Sequence, residues 1–122
     1  MSALAVALTG NPNTGKSTIF NALTGARQKI GNWPGVTVDK KIGHTNYKGR
    51  AISIVDLPGT YSINARSPEE QIVIDYLTST KLDLVLNVVD SSNIERNLFL
   101  TVQLLEKGIP LLIDLNMQDD AQ

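Results

Sequence analysis

The chain has 122 residues, of which 42% are apolar and 19% charged, a composition typical of one compact globular domain. Its 11 Lys and Arg against 12 Asp and Glu leave a net charge of −1, which excludes a basic field for nucleic acid or an anionic membrane surface. It has no cysteine and one histidine, which excludes disulfides, thiolate metal sites and zinc-type clusters. Without a signal peptide or a membrane-length apolar run, the chain is expected to be soluble.

The first predicted elements are a strand and a helix. The apolar run at residues 3–9 is typical of a strand that is buried on both faces. Residues 16–23 have the spacing of a helix, with Ile19, Phe20 and Leu23 directed towards the core. The segment between them is rich in glycine and asparagine.

An irregular segment and a hairpin follow. Residues 26–35 contain two glycines, a proline and Trp33, and they predict a mobile loop. Residues 36–46 alternate loosely between apolar and polar side chains, and residues 50–55 form a second short apolar run. This pattern predicts two antiparallel strands joined by a turn around "NYKG".

The next helix has a strong start signal. Ser67 is predicted to be its N-cap, with Pro68 at the first helical position and Glu70 three residues after the cap. The apolar run at residues 83–89 predicts another buried strand.

A final helix and strand complete the pattern. Ser92 and Glu95 repeat the capping box, and Ser92 is predicted to cap this helix. The run at residues 109–115 predicts the last strand. Apolar side chains recur along the helix and are predicted to form a core-facing stripe: Ile94, Leu98, Val102 and Leu105.

The order of these elements is strand, helix, hairpin, helix, strand, helix, strand. It predicts an α/β fold, with a mostly parallel sheet and helices on both faces, as a single domain over residues 1–122. Ligands of such sheets bind at the carboxyl ends of the strands.

The glycine-rich segment at residues 10–17 reads "GNPNTGKS" and matches the pattern G-x-x-x-x-G-K-S/T. It lies between a predicted strand and a predicted helix, which is the context of a phosphate loop. Backbone N–H groups and the helix N-terminus face a polyphosphate in such a loop. Lys16 would reach the outer phosphates, and the Ser17 hydroxyl would bind Mg²⁺.

Two further motifs follow predicted strands. In "DLPG", Asp56 can orient a magnesium-bound water, and the N–H of Gly59 can face the terminal phosphate. In "NMQD", Asp119 can accept from both N–H donors on the Watson–Crick edge of guanine, a pair that adenine lacks. Together with the phosphate loop, they indicate a guanine nucleotide site.

With these motifs in place, the chain resembles the small GTPase superfamily and, within it, the cytosolic G domains of the ferrous iron transport protein B (FeoB) family. The resemblance rests on "GNPNTGKSTIFNALTGARQKIGNWPGVTV", "DLPGTYS", "NIERNLFLTVQLLEKGIP" and "LNMQD", which cover nearly the whole chain. It implies a Ras-like P-loop GTPase fold. Compared with that fold, a chain ending at residue 122 would lack the last strand and helices, so we expect an incomplete G domain.

The resemblance also implies roles for particular residues. Thr37, in the switch I segment "GVT", would close on Mg²⁺ together with Ser17 and Asp56. Asn13, Lys16, Thr37 and Gly59 are expected to act in hydrolysis. The expected nucleotide contacts are Gly10, Asn11, Pro12, Asn13, Thr14, Gly15, Lys16, Ser17, Thr18, Gly35, Val36, Thr37, Asp56, Leu57, Pro58, Gly59, Asn116, Met117 and Asp119.

The position after Gly59 is Thr60, where Ras-like enzymes carry a glutamine that orients water. Hydrolysis is therefore expected to be intrinsically slow or to use another device. K⁺ could supply the missing positive charge, held by the Asn13 side chain and by backbone carbonyls of Gly31 and Trp33. Loop arginines could act instead, but Arg27 and Arg66 are expected to be solvated.

The partners implied by the resemblance are GTP and GDP and, in a longer protein, a helical regulatory domain and a transmembrane iron permease. This places the domain at the cytoplasmic face of the cell membrane, with no nucleic acid partner and no iron site of its own. Two alternatives stay open from the residues: a GTPase of ribosome assembly or tRNA modification, and a nucleotide-dependent binding module without turnover.

Overall fold

The computed structural model describes residues 3–25 and 27–116 and contains one six-stranded sheet. Its strands are β1 (Leu4–Gly10), β2 (Gln28–Asn32), β3 (Asp39–Tyr47), β4 (Arg50–Asp56), β5 (Leu84–Asp90) and β6 (Leu111–Asn116). Its helices are α1 (Lys16–Thr24), α2 (Pro68–Ser79) and α3 (Ile94–Glu106), the last preceded by a 3₁₀ turn at Ser91–Asn93. In these residues, no helix combines the length and the apolar character needed to cross a membrane.

The strand order is β2-β3-β4-β1-β5-β6. β1 pairs in parallel with β4 and β5, and β5 pairs in parallel with β6. β3 runs antiparallel to both β4 and β2. The predicted mostly parallel sheet and the predicted hairpin are therefore both present.

Each face of the sheet carries its own apolar cluster. Leu8 and Ile54 pack against Phe20 of α1 on one face. Their neighbours along the strands, Ala7 and Val55, point to the other face and join a cluster with residues of α2 and α3. The helices therefore cover both faces, as predicted.

Residues 28–32 form the edge strand β2, so the prediction of a mobile loop over this segment is wrong. Backbone pairing with β3 forms the strand, and the N–H of His44 extends the contact by donating to the carbonyl of Arg27 at 3.1 Å. Most side chains of β2 are exposed. An exposed edge strand needs no alternation of apolar residues, which is the pattern used to predict strands.

The predicted core stripe of α3 is also wrong, because each of its members is at least 42% exposed: Ile94, Leu98, Val102 and Leu105. The buried face of α3 instead contains Asn97, Leu100, Thr101 and Leu104. Two of these side chains are polar and hydrogen-bonded. The backbone N–H of Asp90 donates to Asn97 Oδ1 at 3.1 Å, and Asn87 Nδ2 donates to Thr101 Oγ1 at 2.6 Å.

Two smaller predictions need correction. Leu23 does not face the core but is 43% exposed, and the buried residue on that turn is Thr24. Ser92 does not cap α3, because its N–H and hydroxyl both donate to the carboxylate of Asp90, which caps the 3₁₀ turn. By contrast, Ser67 caps α2 as predicted, with its hydroxyl accepting from the N–H of Glu70 at 3.1 Å.

Candidate nucleotide-binding site

A cavity of about 440 Å³ opens where β1 ends and α1 begins. It is lined by residues 11–13 and 15–17 and by Gly59, which follows β4. β1 and β4 are parallel neighbours, so the segments after their carboxyl ends meet at the same edge of the sheet. The structure thus brings the predicted phosphate loop and the predicted switch II glycine to one cavity.

The backbone of the loop explains why its sequence is rich in glycine and asparagine. A Cβ atom on Gly10 would lie 2.7 Å from the carbonyl oxygen of Val88, closer than real contacts allow. Gly15 has a left-handed φ of 86° at the N-cap of α1, and Asn13 has a φ of 66°. Glycine adopts this region without steric cost, and asparagine tolerates it better than most residues do.

A buried ion pair links the loop to β4. Lys16 Nζ contacts the carboxylate of Asp56, and the two residues are 9% and 8% exposed. Lys16 also lines the cavity. The pair thus holds a carboxylate in contact with a lysine that lines the cavity.

The switch II segment, residues 57–66, is anchored on the phosphate loop. The N–H of Thr60 donates to the carbonyl of Gly10 at 3.0 Å. A Cβ atom on Gly59 would lie 3.0 Å from Cα of Pro12, so only glycine fits here without a shift. Thr60 itself is 5% exposed and is not among the residues that line the cavity.

Asn11 makes a contact that the phosphate-loop motif does not specify. Its side-chain amide donates to the backbone carbonyl of Arg96 in the first turn of α3 at 3.2 Å. Asn11 is 3% exposed, and within the described residues its Oδ1 atom has no hydrogen-bond partner. The loop is therefore attached to α3 as well as to β4.

A buried polar network lies next to this attachment. Thr9 Oγ1 donates to Asn87 Oδ1 at 2.9 Å, and Asn87 Nδ2 donates to Thr101 Oγ1. All three side chains are buried, and they join β1, β5 and α3. This network was not predicted from the sequence, although Asn87 interrupts the apolar run "LVLNVV" and is a signal that indicates it.

The switch I residues are not among those that line the cavity. Thr37 is exposed, and Val36 packs partly buried against the main core cluster. Trp33 is 6% exposed and meets Tyr76 of α2 in an edge-to-face contact, with ring centroids 5.6 Å apart. The residue two positions before switch I, Trp33, is therefore packed on α2.

The predicted metal-binding sets are only partly assembled. Of the magnesium set, Ser17 lines the cavity and Asp56 contacts Lys16, which lines it, whereas Thr37 is not among the lining residues. Of the potassium set, Asn13 lines the cavity, whereas Gly31 belongs to β2 and Trp33 to the core cluster. The two candidate arginine fingers, at positions 27 and 66, are exposed and outside the lining.

The guanine-reading motif is described only in part. The backbone of Asn116 ends β6 and pairs in register with Asp90 of β5. Met117 and Asp119 lie outside the described residues. The assignment of Asn116, Met117 and Asp119 to guanine thus stays a prediction.

The family model for ferrous iron transport protein B matches residues 4–122. Among the curated relatives, the Fe(2+) transporter FeoB of Shigella flexneri is 53% identical over 126 aligned residues, which cover 100% of this chain and 16% of that protein. The Fe(2+) transporter FeoB of Salmonella typhi gives the same identity and coverage. The chain thus spans 16% of the length of these relatives.

Solved structures agree with this match. The cytosolic domain of L. pneumophila FeoB superimposes with a TM-score of 0.89 at 50% identity, covering 96% of this chain and 47% of that one. A GDP-bound variant of the S. thermophilus FeoB G-domain gives a TM-score of 0.89 at 54% identity, covering 98% of this chain and 46% of that one. The Ras-like α/β fold and the resemblance inferred from the motifs are both confirmed. The chain belongs to the ferrous iron transport protein B (FeoB) family.

Proposed function

We propose that this chain is the GTP-binding and GTP-hydrolysing domain of a ferrous iron transporter. The observation that carries the proposal is the cavity formed by the phosphate loop and Gly59, with the buried pair of Lys16 and Asp56 beside it. A G-domain 54% identical to this chain was solved with GDP bound. Family membership favours the transporter over a GTPase of ribosome assembly or tRNA modification.

The ion pair suggests how the phosphates are bound. A polyphosphate in the cavity would compete with Asp56 for the ammonium group of Lys16, because both are anions within its reach. Lys16 would then contact the outer phosphates, and the carboxylate of Asp56 would become free to act as a ligand. The N–H of Gly59 would face the terminal phosphate.

The oxygen donors at this cavity suit Mg²⁺. The hydroxyl of Ser17 and the carboxylate of Asp56 are the hard ligands that this ion prefers, and phosphate oxygens and water complete its shell in nucleotide sites. A bound Mg²⁺ supplies charge neutralisation of the phosphates. Thr37 would have to leave its exposed position to join this set, which requires switch I to move towards the cavity.

Stimulation by K⁺ rests on Asn13. Asn13 lines the cavity, and the buried Thr60 is not among the lining residues that could orient water there. Backbone carbonyls of Gly31 and Trp33 would complete the potassium shell after the same movement of switch I. Without K⁺, we expect slow intrinsic hydrolysis.

The longer protein would supply the transport function. We propose that this domain lies at the cytoplasmic face of the cell membrane, and that a helical regulatory domain connects it to a transmembrane permease. The permease would carry Fe²⁺, and the nucleotide state of this domain would gate it.

The proposal is tested with the full-length protein in proteoliposomes, by measuring nucleotide hydrolysis and ferrous iron uptake together. We expect hydrolysis of GTP in preference to ATP, and iron uptake that requires GTP. Absence of GTP turnover would contradict the enzymatic assignment. Turnover accompanied by uptake that is equal with and without nucleotide would contradict only the gating role.

A further inference from the structure

The side chain of Gln103 in α3 makes two hydrogen bonds to consecutive residues of the switch II segment. Its Oε1 atom accepts from the backbone N–H of Ile63 at 2.9 Å, and its Nε2 atom donates to Asn64 Oδ1 at 2.9 Å. Ile63 is buried in the main core cluster. One side chain therefore fixes both the backbone and a side chain of this segment.

A second side chain of α3 holds the same segment. The guanidinium carbon of Arg96 lies 4.3 Å from the ring centroid of Tyr61, within cation–π range. The backbone carbonyl of Arg96 accepts from the amide of Asn11 in the phosphate loop. α3 thus contacts the phosphate loop through its first turn and the switch II segment along its length.

Gly59 is followed by two attachments of the switch II segment. Directly after it, the N–H of Thr60 is bonded to the carbonyl of Gly10, and Gly59 itself rests against Pro12. The chain is fixed again at Ile63, four residues after Gly59, where the backbone N–H is bonded to Gln103. Loss of the bond at Ile63 would leave the residues after Thr60 free to shift, and this would loosen the placement of Gly59.

We propose that Gln103 is a positioning residue for GTP hydrolysis, which rests on the proposed function. By fixing the switch II segment on α3, it holds the N–H of Gly59 where the terminal phosphate is expected. In the described residues, its hydrogen bonds go to the segment and not to the cavity lining. Its loss should therefore slow hydrolysis and leave GDP binding almost unchanged.

The chemistry of the side chain makes the proposal specific. An amide both accepts and donates, as this position requires. Glutamate keeps the acceptor for Ile63, and Asn64 can turn its amide to donate to it. Methionine at position 103 fills a similar volume, but it can form neither the hydrogen bond to Ile63 nor the one to Asn64. Gln71 on α2 is a matched control, because among the described residues its side-chain amide donates along its own helix, to Asp75 at 2.8 Å.

The test measures kcat for GTP, the Kd for GDP and the unfolding temperature of the full-length protein. In Gln103→Met, we expect kcat to fall at least about fivefold, with a change in Kd for GDP of less than about twofold. Gln103→Glu should return kcat to within about twofold of wild type, and Gln71→Met should match wild type. Asn64→Ala, which leaves α3 intact, should lower kcat at least about twofold.

Several results would overturn the proposal. These are wild-type kcat in Gln103→Met or in Asn64→Ala, a Kd for GDP weakened as strongly as kcat, or no recovery in Gln103→Glu. If Gln103→Met does not fold, Asn64→Ala and Gln103→Glu decide the question. A wild-type protein that does not hydrolyse GTP would instead overturn the proposed function.

Discussion

At the scale of single residues, the buried pair of Lys16 and Asp56 balances its own charge. An unpaired ammonium group with this little exposure would be costly, and the carboxylate compensates it. Under the proposed function, phosphates would replace the carboxylate as the partner of Lys16 and release Asp56 for Mg²⁺. The pair would then connect phosphate binding to formation of the metal site.

Asn13 is expected to be the residue through which K⁺ acts. Replacing Na⁺ by K⁺ at fixed ionic strength should raise GTP hydrolysis by the full-length protein at least about tenfold, or about 1.4 kcal/mol in barrier, because K⁺ adds positive charge where the transition state becomes more negative. Asn13→Ala should remove this difference and leave nucleotide binding largely intact. Equal rates in the two salts, or a K⁺ effect that survives in Asn13→Ala, would exclude this role.

Asp119 is expected to set the preference for guanine. In Asp119→Asn, the amide can donate to the carbonyl that replaces the exocyclic amine of guanine in xanthine, so binding of GTP should weaken and binding of XTP should improve. The measurement is the ratio of the Kd values for the two nucleotides in the full-length protein. Asp120→Asn, at the next position along the chain, is the matched control. An unchanged ratio in Asp119→Asn would remove the guanine-reading role.

At the scale of single residues, the sequence predicts those features of the site that depend on the conformation of adjacent residues. The turn between β1 and α1 could be predicted because its glycines and its position between strand and helix are encoded in adjacent residues, while its role as a phosphate loop stays a prediction. The contact of Asn11 with Arg96 could not be predicted, because it joins residues 85 positions apart in the sequence. The location of Thr37 could not be predicted either, since it lies four residues after Trp33, which packs against the distant Tyr76.

At the scale of elements, close packing of β3 on α1 depends on Gly43. A Cβ atom there would lie 2.3 Å from Thr24 Cγ2 and 2.6 Å from Thr24 Cβ. Gly43→Ala should therefore reduce the free energy of unfolding by about 1–3 kcal/mol through overpacking. Denaturant titration measures this change. Gly31→Ala, where a Cβ atom meets nothing within 4 Å, is the control and should change the value less. Equal values for the two variants would contradict the packing argument.

The start of α2 depends on the cap at Ser67. Ser67→Ala should lower the free energy of unfolding by about 1 kcal/mol, because the N–H of Glu70 loses its acceptor. Ser79→Ala in the last turn removes only a hydroxyl that donates to a carbonyl of the same helix, and it should have a smaller effect. Thermal unfolding of both variants tests the cap, and a larger loss in Ser79→Ala would contradict it.

Errors in the predicted elements share a physical cause. Apolar periodicity identifies a stripe but not what the stripe faces. In α3 the buried side includes Asn97 and Thr101, whose hydrogen bonds to the backbone of Asp90 and to Asn87 make burial of polar groups acceptable. β2 was not predicted, because it forms by backbone pairing with β3 at the edge of the sheet and has no apolar pattern. The capped start of α2 and the buried parallel strands were predictable, since their signals are local.

At the scale of the whole molecule, the sheet order explains how distant motifs meet. β1 lies between β4 and β5, so the phosphate loop after β1 is adjacent to the switch II segment after β4. α3 packs beside both through Asn11 and Gln103. The proposed nucleotide site is thus attached to α3, whose outer face carries exposed apolar side chains. The chain spans 16% of the length of its curated relatives.

The most direct test of the account is the affinity of the full-length protein for GTP, measured by titration calorimetry in the wild type and in Lys16→Ala. Loss of the charge-assisted contact with the outer phosphates should cost about 1.5–3 kcal/mol or more, which weakens binding at least about tenfold. Lys81→Ala, an exposed lysine outside the cavity lining, should bind GTP as the wild type does. Binding of GTP by Lys16→Ala within a factor of about three of wild type would contradict the assignment of the phosphate loop.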